Sequence, residues 1–155
     1  MKIQSPVKKI ILDLCGGTGS WSLPYKEAGY EVYNITLPDF DLLYTGTGVE
    51  NGERWIGFRD KGYGNYKVLV YAKDIYGILA APPCLQFSFA RTNAKIPRDL
   101  SKGMELIIKS LWIIWICQYN IKKDTQKVPP LKFWALENPY HAMTKWFLGK
   151  PAFRF

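Results

Sequence analysis

Residues 76–88 read YGILAAPPCLQFS, an apolar run followed by two prolines and a cysteine. The apolar run has the length and composition of a short buried strand. Because proline cannot continue a central hydrogen-bonded ladder, the strand is expected to end at Pro82 and Pro83. Cys84 then lies at the carboxyl end of the strand, the edge where open α/β sheets bind ligands. Considered alone, a free cysteine is more often a small buried hydrophobic residue. The functional interpretation therefore depends on two other stretches.

A second buried strand, residues 10–14, runs directly into a glycine-rich turn, CGGTGSW, at residues 15–21. An amphipathic stretch from Ser20 to Ala28 follows and predicts a helix, with Pro24 in its first turn, where a missing N–H costs little. Glycines let a backbone approach a ligand closely, and a helix N-terminus offers unpaired N–H groups. The strand, turn and helix together predict a ligand site.

The next strand, residues 30–35, is followed by the acidic segment LPDFD at residues 37–41. In nucleoside-binding α/β folds, an acidic residue near the end of the second strand commonly holds the ribose hydroxyls. Asp39 is the candidate for that role, and Asp41 is placed to approach the same pocket. Either residue is equally compatible with a turn or a helix cap.

Two further elements are predicted along the chain. Residues 55–59 and 66–71 have strand character, and the segment between them predicts a β-hairpin insertion over about residues 53–72. A helix is predicted from Asp99 to about Tyr119, with Asp99 or Ser101 as its cap. Its apolar positions repeat at helical spacing and are expected to face the core: Leu106, Ile107, Ser110, Leu111, Ile114 and Trp115.

A last buried strand, residues 133–136, delivers Glu137, Asn138 and Pro139 to its carboxyl end. A carboxylate at the end of a buried strand is costly unless it has a partner or a role, which makes Glu137 a candidate proton donor. The glycine turn, the Cys84 loop and the Glu137 loop are all expected at one edge of a mostly parallel sheet. A thiol beside a carboxylic acid is suited to nucleophilic addition to a ring that the acid protonates.

Composition limits the classes of protein to which the chain can belong. The 155 residues are 48% hydrophobic and 15% aromatic, which favours one folded domain and argues against disorder. No apolar run is long enough to span a bilayer, and the N-terminus lacks a signal-peptide pattern. Three widely spaced cysteines without a CxxC pair, and a single histidine, disfavour a zinc site and predict a reducing, intracellular location. The net charge of +8 favours a polyanionic partner such as nucleic acid, although solubilising charge accounts for it equally well.

The three marked stretches, taken together, resemble a known family. DLCGGTG at residues 13–19, Pro83 and Cys84 with Phe87 and Ser88, and ENP at residues 137–139 are similar to the first, fourth and sixth motifs of the DNA cytosine-5 methyltransferases, in order and in spacing. The variant looks more like compact phage or prophage members than like restriction-system enzymes. The resemblance implies a single catalytic domain over residues 1–155 with a Rossmann-like S-adenosylmethionine-dependent methyltransferase fold. It also implies a cytoplasmic location in a bacterial or phage-infected cell, and DNA as partner.

The resemblance also implies a role for each matching residue. Cys84, following Pro83, would be the nucleophile that adds to carbon 6 of cytosine. Glu137 would protonate or hydrogen-bond the ring nitrogen, and Asn138 would position Glu137. Ser88 and Arg91 would contact nucleic-acid phosphate, and the target base would leave the stack to reach the thiol. The implied S-adenosylmethionine-binding residues are Asp13, Cys15, Gly16, Gly17, Thr18, Gly19, Ser20, Trp21, Asp39, Asp41 and Pro82.

The sequence departs from the family pattern in three places. Residues 34–36, NIT, stand where the family usually has an acid, and the first acid after them is Asp39, so the pattern does not assign the ribose contact. The family's aspartate near the cofactor's adenine is not assigned either, because Asp41 and Asp74 compete for that place. The chain also ends before the family's arginine-bearing motif, target-recognition region and final motif. It is therefore expected to be truncated, completed by another polypeptide, or a degenerate member. An incomplete sheet exposes an apolar edge, which predicts self-association or a complementing subunit.

Two other functions stay open at this point. One is a non-catalytic, methyltransferase-like module or subunit that binds cofactor, nucleic acid or a partner chain. The other is an amino methyltransferase on the same scaffold. That class usually needs an Asp/Asn-Pro-Pro-aromatic stretch, and here Ala81 and Cys84 replace its polar and aromatic ends. The target sequence, and the choice between DNA and RNA, do not follow from these residues.

Overall fold

The computed structural model of the protein describes residues 9–62, 64–89, 95–119, 131–139 and 142–153. The described elements, in chain order, are β1 (Ile10–Leu14), α1 (Leu23–Glu27), β2 (Glu31–Ile35), a 3-10 turn (Leu42–Tyr44), β3 (Gly46–Glu50), β4 (Glu53–Phe58), β5 (Val68–Tyr71), a second 3-10 turn (Ala72–Asp74), β6 (Ile75–Ala80), α2 (Leu100–Gln118), β7 (Phe133–Leu136) and α3 (Lys145–Leu148).

A four-stranded parallel sheet in the order β2-β1-β6-β7 forms the centre of the fold. Leu14 at the end of β1 pairs with Ala80 at the end of β6, and Ala80 pairs with Leu136 at the end of β7. The carboxyl ends of these three strands are therefore level with one another. The predicted α/β class is confirmed, and so is the parallel arrangement of the strands that precede the three marked loops.

One face of this sheet packs against α2. Alternate residues of the central strands, such as Leu12 and Ile78, join Ile113 and Ile114 of the helix in one buried cluster. Burying such aliphatic side chains contributes roughly 1.5–3 kcal/mol each before the entropy cost of ordering them. This packing fixes the strands whose ends carry the candidate site.

The predicted core face of α2 is correct except at one position. Ile107, Ser110 and Ile114 are buried, but Trp115 is 54% exposed. Successive helical residues are separated by about 100°, so Trp115 lies about 80° beyond Ile107 and outside the arc of buried residues on α2. The aliphatic spacing predicted the helix correctly, but its long apolar run did not reveal which large residue faces outward.

A separate antiparallel sheet, in the order β3-β4-β5, occupies the region of the predicted insertion. β4 and β5 pair as predicted for a hairpin, with Trp55 opposite Tyr71. The sequence did not predict β3, because glycine is depleted in strands. The structure explains these glycines, since a Cβ on Gly48 would overlap the Trp55 ring. Aromatic rings thus cover backbone that has no side chain of its own.

Helix α1 is shorter than the stretch from Ser20 to Ala28 predicted, because it begins only at Leu23. Pro24 lies in its first turn, as expected. Gly19 has a φ of +75°, which holds the preceding residues in a turn and delays the start of the helix. None of the helices in the described ranges is long and apolar enough to cross a membrane.

Gly77 of β6 provides a test of the packing that supports the site. A Cβ at this position would overlap the ring of Phe133 on the neighbouring strand β7, and that ring stacks on Tyr25 of α1 with centroids 5.5 Å apart. We expect Gly77→Ala to lower the free energy of unfolding by about 2 kcal/mol, measured by urea denaturation.

The matched control is the same substitution in a Phe133→Ala background. There the Cβ has room, so Gly77→Ala should be neutral or slightly stabilising, because alanine restricts the unfolded chain more than glycine does. An equal loss in both backgrounds would contradict the packing described for β6 and β7.

Candidate active site

The three marked loops leave the same edge of the parallel sheet. Backbone hydrogen bonds extend the ladder one residue beyond the strands: Ala81 N donates to Leu14 O at 2.9 Å, and Glu137 N donates to Ala80 O at 2.8 Å. The glycine turn that follows β1 is therefore adjacent to the Cys84 loop that follows β6. The Cys84 loop is in turn adjacent to the Glu137 loop that follows β7.

The glycine turn presents its backbone to solvent. Cys15, Gly17 and Gly19 all have left-handed backbone, with φ values of +59°, +56° and +75°. For Cys15 this conformation is uncommon and costs free energy, while glycine adopts it readily. A Cβ on Gly17 would meet nothing within 4 Å, so the outer side of the turn is open. This arrangement gives a ligand direct access to main-chain groups.

Asp13 lies fully buried on β1 beneath this turn. A Cβ on Gly16 would overlap its carboxyl group, so glycine is required directly above it. Neither carboxyl oxygen has a hydrogen-bond partner among the described residues. Burial raises the pKa of Asp13, and the nearby Ser22 hydroxyl and backbone only partly oppose that effect. The Ser22 hydroxyl instead donates to Gly19 O at 3.2 Å.

Asn34 of β2 supports the turn from the other side. Its Nδ2 donates to Gly17 O at 3.0 Å, while its Oδ1 is buried and has no hydrogen-bond partner in the described part of the chain. An unpaired buried acceptor is costly, so this oxygen is a candidate to accept from a ligand. Sequence reasoning had treated Asn34 only as a departure from the family pattern. Its polar side chain within an otherwise apolar strand was the signal for this contact.

The two acidic residues after β2 have different positions. Asp41 acts as a cap, because its Oδ1 accepts from Leu43 N at 3.0 Å. Asp39 is exposed on the turn, and its carbonyl oxygen accepts from Lys67 Nζ at 3.3 Å. The alternative interpretation as a cap therefore fits Asp41. A ribose contact by Asp39 stays a prediction.

Cys15 is a poor nucleophile despite its place in the turn. Burial, followed by the nearby charges of Asp41 and Asp13, raises the pKa of its thiol to about 11. The reactive form of cysteine is the thiolate, so Cys15 is protonated at neutral pH. Cys117 is also disfavoured as a nucleophile, because burial in the core raises its pKa to about 12.

Cys84 is half-buried at the start of a tight turn. Its carbonyl oxygen accepts from Phe87 N at 2.8 Å and Ser88 N at 2.9 Å. Arg98, just before α2, donates from Nη1 to Gln86 O at 3.0 Å and to Ser88 O at 2.8 Å. These contacts hold the backbone of the turn that carries Cys84. Arg98 was missed by sequence reasoning, because nothing local to it indicates a contact so far back along the chain.

The loop after β7 is tied directly to the Cys84 loop. Asn138 Nδ2 donates to Pro82 O at 3.4 Å, and Thr144 Oγ1 donates to Asn138 Oδ1 at 2.8 Å. Asn138 therefore connects the loop after β7 to Pro82, whereas the role that the resemblance implies for it, the positioning of Glu137, stays a prediction. Thr144, which is buried, was another residue that sequence reasoning missed.

Glu137 does not occupy the environment that the sequence led us to expect. Its side chain is exposed, so the expected desolvation cost of its carboxylate is absent. The strand β7 ends at the margin of the described sheet, where water reaches the following residue. The candidate role of Glu137 therefore depends on the adjacency of its loop to the Cys84 loop.

The remaining predicted site residues fall into two groups. Pro82 is buried and Pro83 is exposed at the turn into Cys84, while Ser88 lies within the Cys84 loop. Thr18 and Ser20 place their hydroxyl oxygens 2.7 Å apart on the exposed glycine turn, and Trp21 beside them is exposed. Arg91 lies outside the described residues.

Compared with known proteins, the chain matches no family model, no curated protein and no solved structure.

The buried carboxyl of Asp13 predicts a pH-dependent stability. Burial raises the pKa of Asp13 in the folded state. Folding therefore takes up a proton in the pH range between the unfolded pKa of about 3.9 and the folded pKa. The contribution of Asp13 to the wild-type free energy of unfolding is therefore largest at low pH, and it disappears as pH rises through the folded pKa. We expect Asp13→Asn to become progressively more stable relative to wild type across that window, measured by urea unfolding.

Asp39→Asn, which changes an exposed carboxylate on the same side of the sheet, is the matched control. A stability difference for Asp13→Asn that does not change with pH, or that changes in the opposite direction, would show that Asp13 does not carry a raised pKa.

Proposed function

We propose that the chain is an S-adenosylmethionine-dependent methyltransferase that modifies carbon 5 of cytosine in DNA through a covalent bond to Cys84. The observation that carries this proposal is the placement of Cys84. It sits on a fixed turn, with the open glycine turn on one side and the Glu137 and Asn138 loop on the other. On this proposal the enzyme acts in the cytoplasm of a bacterial or phage-infected cell.

The sheet order supports a Rossmann-like assignment. Doubly wound folds have the strand order 3-2-1-4-5-6 or 2-1-3-4-5 and bind ligands where that order reverses. The order β2-β1-β6-β7 matches the first four strands of the second arrangement, and strands 2-1-4-5 of the first if the antiparallel sheet replaces strand 3. The antiparallel sheet of β3, β4 and β5 then takes the place in the chain of the third strand. The reversal falls between β1 and β6, where the glycine turn and the Cys84 loop lie.

The glycine turn fits the amino-acid end of the proposed cofactor. The turn is open above Gly17, and the buried Asn34 Oδ1 is an acceptor without a partner in the described residues. Those are groups that a ligand with both an ammonium and a carboxylate can satisfy. When bound, S-adenosylmethionine supplies a methyl group activated by a positively charged sulfur. Gly17, Gly19 and Asn34 would hold it beside Pro82.

The chain's own residues then supply the chemistry at the base. The Cys84 thiolate forms a bond to carbon 6 of cytosine, while Glu137 gives a proton or a hydrogen bond to the ring nitrogen. This addition places electron density on carbon 5, which makes that carbon nucleophilic. After carbon 5 is methylated, loss of its proton re-forms the ring double bond and expels the Cys84 thiolate. Asn138 and Arg98 act as positioning residues for the two loops.

A second candidate function is a non-catalytic module that binds cofactor, nucleic acid or a partner chain. Two observations favour it. The Glu137 carboxylate is exposed rather than enclosed, and Trp134 is exposed on β7, an edge strand of the described sheet. An exposed apolar edge is suited to pairing with a second copy or a complementing subunit.

A covalent trapping experiment tests the catalytic proposal. Incubation with S-adenosylmethionine and an oligonucleotide library containing 5-fluorocytosine should give a stable adduct, because fluorine at carbon 5 cannot leave as a proton does. We expect mass spectrometry to place the adduct on the peptide that contains Cys84. Cys84→Ala should abolish it, and Glu137→Gln should slow its formation by about 10²-fold or more.

Cys117→Ala is the matched control, since it removes a thiol that is buried away from the edge and should leave the adduct intact. If no adduct forms while cofactor binding is retained, the non-catalytic module is the better description. An adduct that survives Cys84→Ala would overturn the assignment of the nucleophile.

A further inference from the structure

Two exposed aromatic rings contact each other beside the Cys84 loop. Phe89, at the end of that loop, is 42% exposed, and Trp146 of α3 is 64% exposed. Their ring centroids are 6.1 Å apart with an interplanar angle of 70°. Large apolar side chains on a surface are normally scattered singly, and grouped ones mark interaction sites. This pair of rings is called the stacking face below.

The stacking face is fixed relative to the candidate nucleophile. Met143 N, just before α3, donates to Phe87 O at 3.0 Å. The buried Phe87 ring also contacts Phe147 of α3, with centroids 6.0 Å apart. Phe87 N donates in turn to Cys84 O. A short chain of contacts thus connects the exposed rings to the turn that presents the thiol.

The two segments that carry the stacking face contain only positive formal charges, while Asp99 also adjoins the Cys84 loop, since its N donates to Gln86 Oε1 at 3.0 Å. Residues 84–89 and 142–153 contain no aspartate or glutamate, but they include Lys145 and Lys150. Arg98 lies against the Cys84 loop through its contacts with Gln86 and Ser88. The chain as a whole carries a net charge of +8. The surface therefore complements a polyanion that also offers flat apolar groups, and nucleic acid has that combination.

We infer that the stacking face binds the bases of single-stranded nucleic acid next to the target cytosine, so that the substrate is a single or opened strand and not an intact duplex. This inference rests on the proposed function and specifies its substrate. In a duplex, neighbouring bases cover one another's faces, and only the edges are accessible in the grooves. Bases of a single strand expose those faces, and aromatic side chains bind them with little dependence on sequence.

The test measures binding without requiring any methyl transfer. Oligonucleotides of about 15 nucleotides built only from adenine and thymine contain no cytosine, so Cys84 chemistry cannot contribute. We expect the single strand to bind at least about tenfold more tightly than the annealed duplex by fluorescence anisotropy, with quenching of tryptophan fluorescence. Trp146→Ala should weaken single-strand binding by about tenfold, and Trp146→Phe should restore most of it, because the ring is kept.

Trp115→Ala is the matched control, since it removes an equally exposed tryptophan from the solvent side of α2. Circular dichroism identifies any variant that fails to fold, in which case Phe89→Ala serves as the second test. The inference is overturned if duplex and single strand bind equally, or if Trp146→Ala and Trp115→Ala have the same effect. It is also overturned if Trp146→Ala changes only self-association in sedimentation, since the face would then belong to a second copy of the chain.

The two proposals fail in distinguishable ways. A Cys84 adduct with 5-fluorocytosine DNA, combined with equal binding of single strand and duplex, would support the methyltransferase proposal and contradict base binding by the stacking face. Preferential single-strand binding without an adduct would support base binding by the stacking face and indicate a non-catalytic module that binds nucleic acid.

Discussion

The parallel backbone ladder through β6 determines where the glycine turn, the Cys84 loop and the Glu137 loop lie. β6 pairs with β1 on one side and β7 on the other, and Ala80 is in register with both Leu14 and Leu136. Because a register shift of one residue would move each side chain to the opposite face, the buried cluster on the α2 face holds this alignment in place. The three loops meet at one edge because the three strands end together.

The local sequence then converts that alignment into a site. Pro82 and Pro83 end β6 abruptly, left-handed backbone at Cys15 and Gly17 bends the turn after β1, and Asn138 ties the loop after β7 to Pro82. These contacts are individually weak, of order 1 kcal/mol each. Together they restrict the backbone that carries Cys84. A nucleophile reacts efficiently only when it is held in the correct geometry.

Much of the architecture could be predicted from the sequence, for identifiable reasons. The central strands are short apolar runs ended by glycine, proline or acidic residues, so both their existence and their carboxyl ends were readable. The helix α2 begins at an aspartate cap, where Asp99 Oδ1 accepts from Lys102 N at 2.9 Å. The sequence was sufficient to predict those elements whose formation depends on residues within a few positions of one another.

The parts that could not be predicted depend on contacts between distant segments. β3 consists largely of residues with low strand propensity and is stabilised by the aromatic rings that cover Gly46 and Gly48. Arg98 and Asn34 donate to carbonyl groups 10 and 17 residues away in the chain. The exposure of Glu137 likewise follows from the place of β7 in the described sheet. No local pattern of residues encodes these relationships.

We propose that the edge formed by the glycine turn and the Cys84 loop binds S-adenosylmethionine. The most direct measurement is a titration of ¹⁵N-labelled protein with S-adenosylhomocysteine, the demethylated product, followed by nuclear magnetic resonance. Saturable shifts are predicted for the amides of residues 15–19, for Ala81 and Cys84, and for the side-chain amide of Asn34. Saturable shifts confined to other parts of the chain, or no saturable shift at all, would contradict the claim.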